Sequence, residues 1–284
     1  MISDLFPGKR LFVFAGHFGS GKTEISINFA LELVRSGKKV ALVDMDIVNP
    51  FFRAADAKEE LNSHGVRVIT PIYANTNVDV PALPAEIYGM FENKGYHVVF
   101  DVGGDDLGAR AVSRYSEEFL ADRTIMFYVV NTKRPMTNTG EKIEQTFNEI
   151  QKSARIKFDA FVSNANLLSD TTESDIATGA GLVGEVAGKL GLGVAFCVKM
   201  APAGVATPAG TATPTSVVAP TGVATPADVA TPTGTATPTS VVAPTGVATP
   251  IGTTTPTVTG LNAAETEYVG NVPVFRIRRY IKVF

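Results

Sequence analysis

Eight residues near the start of the chain have the types and spacing of a phosphate-binding loop. They are Gly16-His17-Phe18-Gly19-Ser20-Gly21-Lys22-Thr23, which fit the pattern G-x-x-x-x-G-K-[ST]. In such a loop, glycines let backbone N–H groups curl around an anion, and the following helix presents its positive end to that anion. We expect Lys22 to contact the β- and γ-phosphates of a nucleotide and the Thr23 hydroxyl to be a ligand of Mg²⁺. The nucleotide-binding segment is predicted to run from Gly16 to Glu24.

The residues on either side of this loop supply the strand and the helix that the motif requires. Leu11 to Ala15 form an apolar run that predicts a buried strand. From Thr23 to about Ser36, most apolar residues recur on one side of a helix, which Gly37 ends. The alternative is a glycine-rich turn between strand and helix that binds no ligand. The flanking strand and helix favour the phosphate-binding interpretation.

Carboxylates follow two later strands. The run 39–43 leads into Asp44-Met45-Asp46, and the run 97–100 leads into Asp101, which precedes Gly103-Gly104. Open α/β sheets hold ligands at the carboxyl ends of their strands. An acid in the position of Asp101 can hold Mg²⁺, and a glycine at 104 lets a backbone N–H approach a γ-phosphate in a turn that changes shape when the phosphate leaves. The alternative is that Asp101 only caps the next helix.

The wider pattern predicts an α/β fold. Short β-rich runs alternate with helical patterns, which is typical of parallel β-α-β units. Further strands are predicted at 66–69, 124–130, 158–163 and 194–198, with helical segments at about 51–63, 81–93, 138–152 and 173–190. Seven strands with crossover helices form a three-layer α/β/α domain with a mostly parallel sheet, which we place at 1–200.

Residues 201–259 interrupt this pattern. Proline recurs every six residues from Pro202 to Pro256, and segment 205–226 repeats as 229–250 with one difference, Ala209 against Thr233. The hexads fit two structures: a left-handed parallel β-helix, or an extended linker that cannot bury enough surface to order itself. Small apolar side chains and a proline in every hexad favour the linker. Residues 260–284 then return to the first domain, where they could add an edge strand.

Composition narrows the classes of function. The formal net charge of the 284-residue chain is -3, so bulk charge gives no sign of a nucleic-acid partner. Cys197 is the single cysteine, which excludes a disulfide framework within the chain and a Cys-x-x-Cys pair. No apolar run approaches the roughly 20 residues of a membrane span, and none near Met1 resembles a signal peptide. We expect a cytoplasmic protein for which a membrane partner is not favoured.

In this order, the phosphate-binding loop, Asp44-Met45-Asp46 and Asp101-Val102-Gly103-Gly104 resemble the motifs of the MinD/ParA/CobQ group of P-loop ATPases, the SIMIBI class. The resemblance covers about 10–200. It implies that Asp46 helps position the attacking water while Asp44 supports Mg²⁺. It also implies that Asp101 is the Walker-B acid and Gly104 the glycine of switch II. Asn164, which closes a late strand, matches an asparagine that contacts adenine, with Asn166 as the second choice.

One departure from that family concerns the loop itself. Most members carry a signature lysine after the first glycine, where this chain has His17. A neutral imidazole does not supply a fixed positive charge, so activation by a lysine of a partner subunit is not expected. Homodimerisation across the nucleotide is still expected from the resemblance. Adenine is favoured over guanine, because neither Asn131-Thr132-Lys133-Arg134 nor Ser163-Asn164-Ala165-Asn166 is an N-K-x-D motif.

The function hypothesis is a Mg²⁺-dependent ATPase that works as a nucleotide switch, with Lys22 and Asp46 in the catalytic roles. A protein client is expected, in metalloenzyme or corrinoid-protein maturation or in partitioning. The alternative is an ATP-dependent small-molecule kinase or amide ligase of the dethiobiotin or cobyrinate type, in which a bound acceptor replaces water. Dependence of ATP turnover on a metabolite would favour the alternative.

Overall fold

The computed structural model describes residues 2–46, 57–71, 85–104, 106–201 and 266–280. Apart from Ala201, the repeat segment 201–259 lies outside them, and so does 51–56 of the helix predicted at 51–63. The organisation of the chain into 1–200, 201–259 and 260–284 therefore stays a prediction. All statements below concern the described residues.

The centre of the fold is one mixed sheet that is almost entirely parallel. The strands are β1 (Leu11–Ala15), β2 (Val40–Asp44), β3 (Val66–Ile69), β4 (His97–Asp101), β5 (Thr124–Val130), β6 (Ala160–Ser163), β7 (Gly193–Met200), β8 (Tyr268–Val269) and β9 (Val272–Ile277). Their spatial order is β3-β2-β4-β1-β5-β6-β7-β9-β8, and only β8 is antiparallel to its neighbour. The chain leaves central β1 first toward β3 and later toward β8, so the strand order reverses beside β1, where such sheets bind ligands.

Helices cover both faces of the sheet, which confirms the predicted three-layer α/β/α fold. They are α1 (Lys22–Arg35), α2 (Lys58–Ser63), α3 (Glu86–Glu92), α4 (Asp106–Ser113), α5 (Ser116–Ala121), α6 (Gly140–Ala154) and α7 (Glu173–Lys189). Short 3-10 turns lie at Ile2–Leu5 and Leu168–Asp170. A membrane span would need a longer and more apolar helix than any in the described part of the chain.

Alternating side chains of the central strand divide the core into two halves. In β1, Leu11, Val13 and Ala15 belong to the core on the face of α3 to α7, while Phe12 and Phe14 belong to the core on the face of α1 and α2. This is the two-residue period of a strand that is buried on both faces. On the α1 face, Phe29 packs against both phenylalanines, with ring centroids 4.9 and 5.3 Å apart. The helix after the phosphate-binding loop is thereby fixed to the strand before it.

Residues 266–280, near the end of the chain, pack against this core. Strand β9 pairs in parallel with β7, and short β8 forms the edge outside it. Phe275 of β9 lies 6.1 Å from Phe29, ring centroid to centroid. Beyond the strand, Asn28 of α1 donates to the Arg278 carbonyl and accepts from its amide, both at 2.8 Å. A segment distant in sequence therefore holds the helix of the phosphate-binding loop.

A buried arginine joins the segments that lead into the amino ends of the central strands β1, β4 and β5. The fully buried guanidinium of Arg10 pairs with Asp122, which Lys94 also contacts at 2.8 Å. Its remaining hydrogen bonds run to the carbonyl oxygens at and after the end of α3, namely those of Met90, Phe91, Asn93 and Tyr96. Burial alone would raise the pKa of Asp122, but hydrogen bonds from Arg10 and Lys94 outweigh burial and hold that pKa below its usual value.

We predict that Arg10→Met lowers the free energy of unfolding by about 3 kcal/mol, because it breaks a buried ion pair and leaves carbonyl groups without a donor. Urea denaturation followed by circular dichroism measures the change. Arg123→Met, at an exposed residue near Asp122, should change stability by less than about 0.5 kcal/mol. Equal stability of Arg10→Met and the wild type would contradict this role of Arg10.

Candidate functional site

The phosphate-binding loop lies at the carboxyl end of β1, where the fold places a ligand. Its backbone needs glycine at Gly16, where φ is 151° and a Cβ would overlap the Val129 carbonyl oxygen of β5. Helix α1 begins at Lys22, preceded by Gly21 in the left-handed conformation without a side-chain cap. The first N–H groups of α1 are thus left for an anion, which is the physical basis of phosphate binding by such loops.

Lys22 is buried beneath this loop and close to the turn after β4. Its side chain is folded back so that Nζ donates to the His17 carbonyl at 3.2 Å. A Cβ on Gly104 would lie 2.6 Å from the Phe18 backbone nitrogen and 2.9 Å from Lys22 Nζ. Only glycine fits this close approach of two backbones, and the structure places Lys22 and Gly104 next to each other.

The carboxylates predicted at two strand ends are adjacent and buried. Asp44 and Asp101 are register partners at the ends of β2 and β4, and they are 1% and 2% exposed. Backbone hydrogen bonds fix the strand ends: Met45 N donates to Asp101 O at 2.8 Å, and Asp46 N donates to Asp44 Oδ1 at 2.9 Å. Hydroxyl groups of α1 reach Asp101 from Thr23 and from Ser26, the latter at 3.5 Å.

Electrostatics make Asp101 the unusual member of this group. Burial, followed by the nearby charge of Asp44, raises the pKa of Asp101 to about 8, although Lys22 and Thr23 act in the opposite direction. Asp46, which follows β2, lies beside the turn after β4. A Cβ on Gly103 in that turn would be 3.2 Å from Asp46 Oδ1. Three carboxylates are therefore concentrated beside one lysine, and the buried pair requires a proton or a cation.

Asn164, the residue after β6, contacts the phosphate-binding loop. Asn164 is 2% exposed, and its Nδ2 donates to the Ser20 carbonyl at 2.7 Å. Its Oδ1 and the Ser20 hydroxyl are buried without a hydrogen-bond partner in the described part of the chain. Asn164 therefore braces the loop from below and keeps one buried acceptor available. Whether Asn164 contacts a base stays a prediction.

A family model now identifies the domain. The model described as CobQ/CobB/MinD/ParA nucleotide binding domain, CbiA, matches residues 11–205. This chain belongs to that family. The match includes the phosphate-binding loop, the three aspartates and Asn164, and it confirms the family resemblance predicted from the motifs.

Comparison with solved structures finds similar folds at low identity. The signal recognition particle 54 kDa protein of Aeropyrum pernix K1, in complex with GDP, is 15% identical with a TM-score of 0.42, covering 67% of this chain and 41% of that one. FtsY of Thermotoga maritima is 21% identical with a TM-score of 0.43, covering 67% and 62%. FtsY of Mycoplasma mycoides is 15% identical with a TM-score of 0.42, covering 66% and 58%. A comparison with curated proteins gave no match.

The side chains present fit a nucleotide with Mg²⁺, as this family leads one to expect. The glycine backbones of the loop form a cradle, and Lys22 lies beside this cradle. The Thr23 hydroxyl contacts Asp101. The described residues hold no group of three or more His, Cys, Asp or Glu side chains that could bind a metal without help. Mg²⁺ beside phosphates needs only one or two carboxylates, with phosphate oxygens and waters as its other ligands.

Two contacts of the site lie outside the family motifs. The Glu24 carboxylate accepts from the Tyr280 amide at 3.0 and 3.1 Å, so a residue predicted in the nucleotide-binding segment anchors the C-terminal segment. Arg134, in the loop after β5, donates from Nε to the Gly19 carbonyl at 3.1 Å. Both contacts join residues more than 100 positions apart, and no local pattern in the sequence indicates them.

The pKa of Asp101 predicts how the ligand-free protein responds to pH. Between the usual value of 3.8 and about 8, the native state binds a proton at Asp101 that the unfolded chain releases. The free energy of unfolding should therefore fall as pH rises through this window. Melting temperatures at pH 5.5, 6.5, 7.5 and 8.5 measure the slope.

The Asp101→Asn variant should show a flatter slope, because its amide does not titrate. Asp170→Asn, at an exposed aspartate, should keep the wild-type slope. A wild-type slope in Asp101→Asn would mean that other groups cause the dependence on pH.

Proposed function

We propose that the protein is a Mg²⁺-dependent ATPase that acts as a nucleotide switch. The observation that supports this most strongly is the convergence of Lys22, Asp101 and Gly104 beside the phosphate-binding loop. Phosphoryl transfer to water needs positioning and charge stabilisation more than a side-chain nucleophile. The proximity of Lys22, Asp101 and Gly104 supports such a mechanism.

In this mechanism, Lys22 exchanges its hydrogen bond to the His17 carbonyl for a phosphate oxygen, and the N–H groups of the loop and of α1 bind the other oxygens. The Thr23 hydroxyl would be a ligand of Mg²⁺, and Asp101 and Asp44 would support the ion with their negative charge. When bound, Mg²⁺ supplies positive charge that offsets the negative charge of the phosphates. Asp46 is positioned by its own amide on Asp44 and by the turn at Gly103, and it orients the attacking water.

The proposal of a switch is supported by the packing between the turn and α4. Gly104 contacts the loop, and Gly103 contacts Gly108 in α4, where a Cβ on Gly108 would lie 2.6 Å from Gly103 Cα. Because these backbones touch, a shift of Gly104 toward a γ-phosphate would move the start of α4. Loss of that phosphate on hydrolysis would reverse the shift.

Adenine is the base that we propose. Asn131 is buried, and its side chain links two loops. Its Oδ1 accepts from Lys133 N at 3.0 Å and from Asn166 N at 3.3 Å. Its Nδ2 donates to Asn166 O at 3.0 Å. Lys133 pairs with Asp175. These two residues therefore maintain the loop structure, and the N-K-x-D pattern of guanine recognition is not present in the sequence.

We also propose that the triphosphate form associates with a second copy of the chain. Three loops at the carboxyl edge of the sheet expose large apolar side chains: Phe18, Met136 and the pair Leu167-Leu168. Exposed apolar groups gathered around a ligand site are typical of association surfaces. A surface next to the phosphate-binding loop would respond to the nucleotide, which favours a switch over a kinase or ligase.

We predict that Lys22→Ala weakens ATP binding about 100-fold, because it removes a charge-assisted hydrogen bond in a buried site. Asp46→Asn should bind ATP nearly as well as the wild type but hydrolyse it about 100-fold more slowly, because the attacking water is misplaced. Calorimetry with ATP and with GTP, and phosphate release without added acceptor, measure these effects.

The control is Lys38→Ala, an exposed lysine near the other end of α1, which should leave binding and hydrolysis unchanged. Wild-type ATP affinity in Lys22→Ala would show that the site is assigned wrongly. Turnover that requires a small-molecule acceptor would favour the kinase or ligase alternative, and tighter binding of GTP would overturn adenine.

For association, a non-hydrolysable ATP analogue should shift the wild-type mass toward the dimer in light scattering. Leu168→Ser should reduce this shift, since it removes apolar surface from the proposed interface. Leu120→Ser is the matched control, because Leu120 is 81% exposed but lies on α5, before the amino end of β5. A monomer under all conditions would contradict the dimer.

A further inference from the structure

Arg134 lies directly on the phosphate-binding loop. Its Nε donates to the Gly19 carbonyl at 3.1 Å, and a Cβ on Gly19 would be 3.4 Å from Nε and 3.7 Å from the Cδ and Cζ atoms. The guanidinium therefore lies over the middle of the loop, two residues from His17. This contact links the loop after β5 to the loop after β1, at the point where the strand order reverses.

The backbone that carries Arg134 is held in place on both sides. Arg134 N donates to Asn131 O at 3.1 Å, and Thr137 N donates to Arg134 O at 3.0 Å. The buried Thr137 hydroxyl closes the same turn by donating to Asn131 O at 2.7 Å. The Asn131 side chain also bonds to the loop after β6. The turn that carries Arg134 is therefore fixed by hydrogen bonds on both sides.

Arg134 differs from the neighbouring Lys133 in how its positive charge is paired. Lys133, the preceding residue, pairs with Asp175, whereas no ion pair to Arg134 occurs in the described part of the chain. The side chain is exposed. Nε donates to the loop, which leaves the N–H groups of the two Nη atoms as further donors. A planar guanidinium in this state matches the geometry of phosphate oxygens.

We infer that Arg134 binds the phosphate chain of the nucleotide held by its own subunit. It supplies, in cis, a fixed positive charge at a loop whose second residue is His17 and not a lysine. The inference rests on the proposed nucleotide-binding function and adds a binding residue to it. A charged group that points at phosphates contributes to binding through its charge, while a simple brace of the loop contributes through its hydrogen bond to Gly19.

The test separates these two roles with paired variants. Arg134→Gln removes the charge but keeps an N–H donor, and Arg134→Lys keeps the charge without the planar fork. Calorimetry with ATP and with inorganic tripolyphosphate should show Arg134→Gln about tenfold weaker for both ligands, which is the size expected for one lost charge-assisted contact. Arg134→Lys should lose less than Arg134→Gln with either ligand.

Lys142→Gln is the matched control, because Lys142 donates to Pro135 O and Asn138 Oδ1 in the same loop without reaching Gly19. It should bind both ligands as the wild type does. Wild-type affinity in Arg134→Gln, or a loss confined to ATP, would overturn the inference while leaving the proposed function intact. Equal losses in both Arg134 variants would indicate a brace and also overturn it. A wild-type protein that binds neither ligand would overturn the proposed function and this inference with it.

Discussion

Two carboxylates buried side by side at the ends of β2 and β4 constrain the whole candidate site. Asp44 and Asp101 face a cost of desolvation that protonation or a nearby cation must offset. Lys22 and the α1 hydroxyls approach Asp101, and Gly104 brings the turn after β4 against the loop. The phosphate-binding loop and the acidic strand ends thus form one electrostatic unit, and its parts depend on the parallel register of the central strands.

The same unit is stabilised by residues that are far away in sequence. Strand β9 places Phe275 against Phe29, while Arg278 and Tyr280 bond to Asn28 and Glu24 on the helix that follows the loop. On the other side, Asn164 and the turn at Arg134 support the loop backbone. The P-loop helix is consequently held by core packing and by backbone hydrogen bonds at once, so the loop can keep its shape before a ligand arrives.

The parts of this structure that were predictable are those governed by local rules. A loop motif between an apolar strand and an amphipathic helix, with acids at strand ends, is sufficient to predict the site, because parallel strands end at one edge. The seven predicted strands correspond to β1–β7, within a few residues at their ends. The sequence pattern did not predict the short helices α4 and α5. Contacts such as Arg10 with Asp122, Arg134 with Gly19 and β9 with β7 join distant segments, and nothing in the local sequence specifies such pairings.

The central claim is that one site binds the phosphate chain and its cation between Lys22, Thr23 and the buried aspartates. Crystals grown with Mn²⁺ and a non-hydrolysable ATP analogue would test it most directly. The account predicts an anomalous peak for Mn²⁺ beside the Thr23 hydroxyl, on the side of Asp101 and Asp44, with the γ-phosphate against Lys22. A nucleotide bound elsewhere, or a manganese peak remote from Asp101, would contradict it.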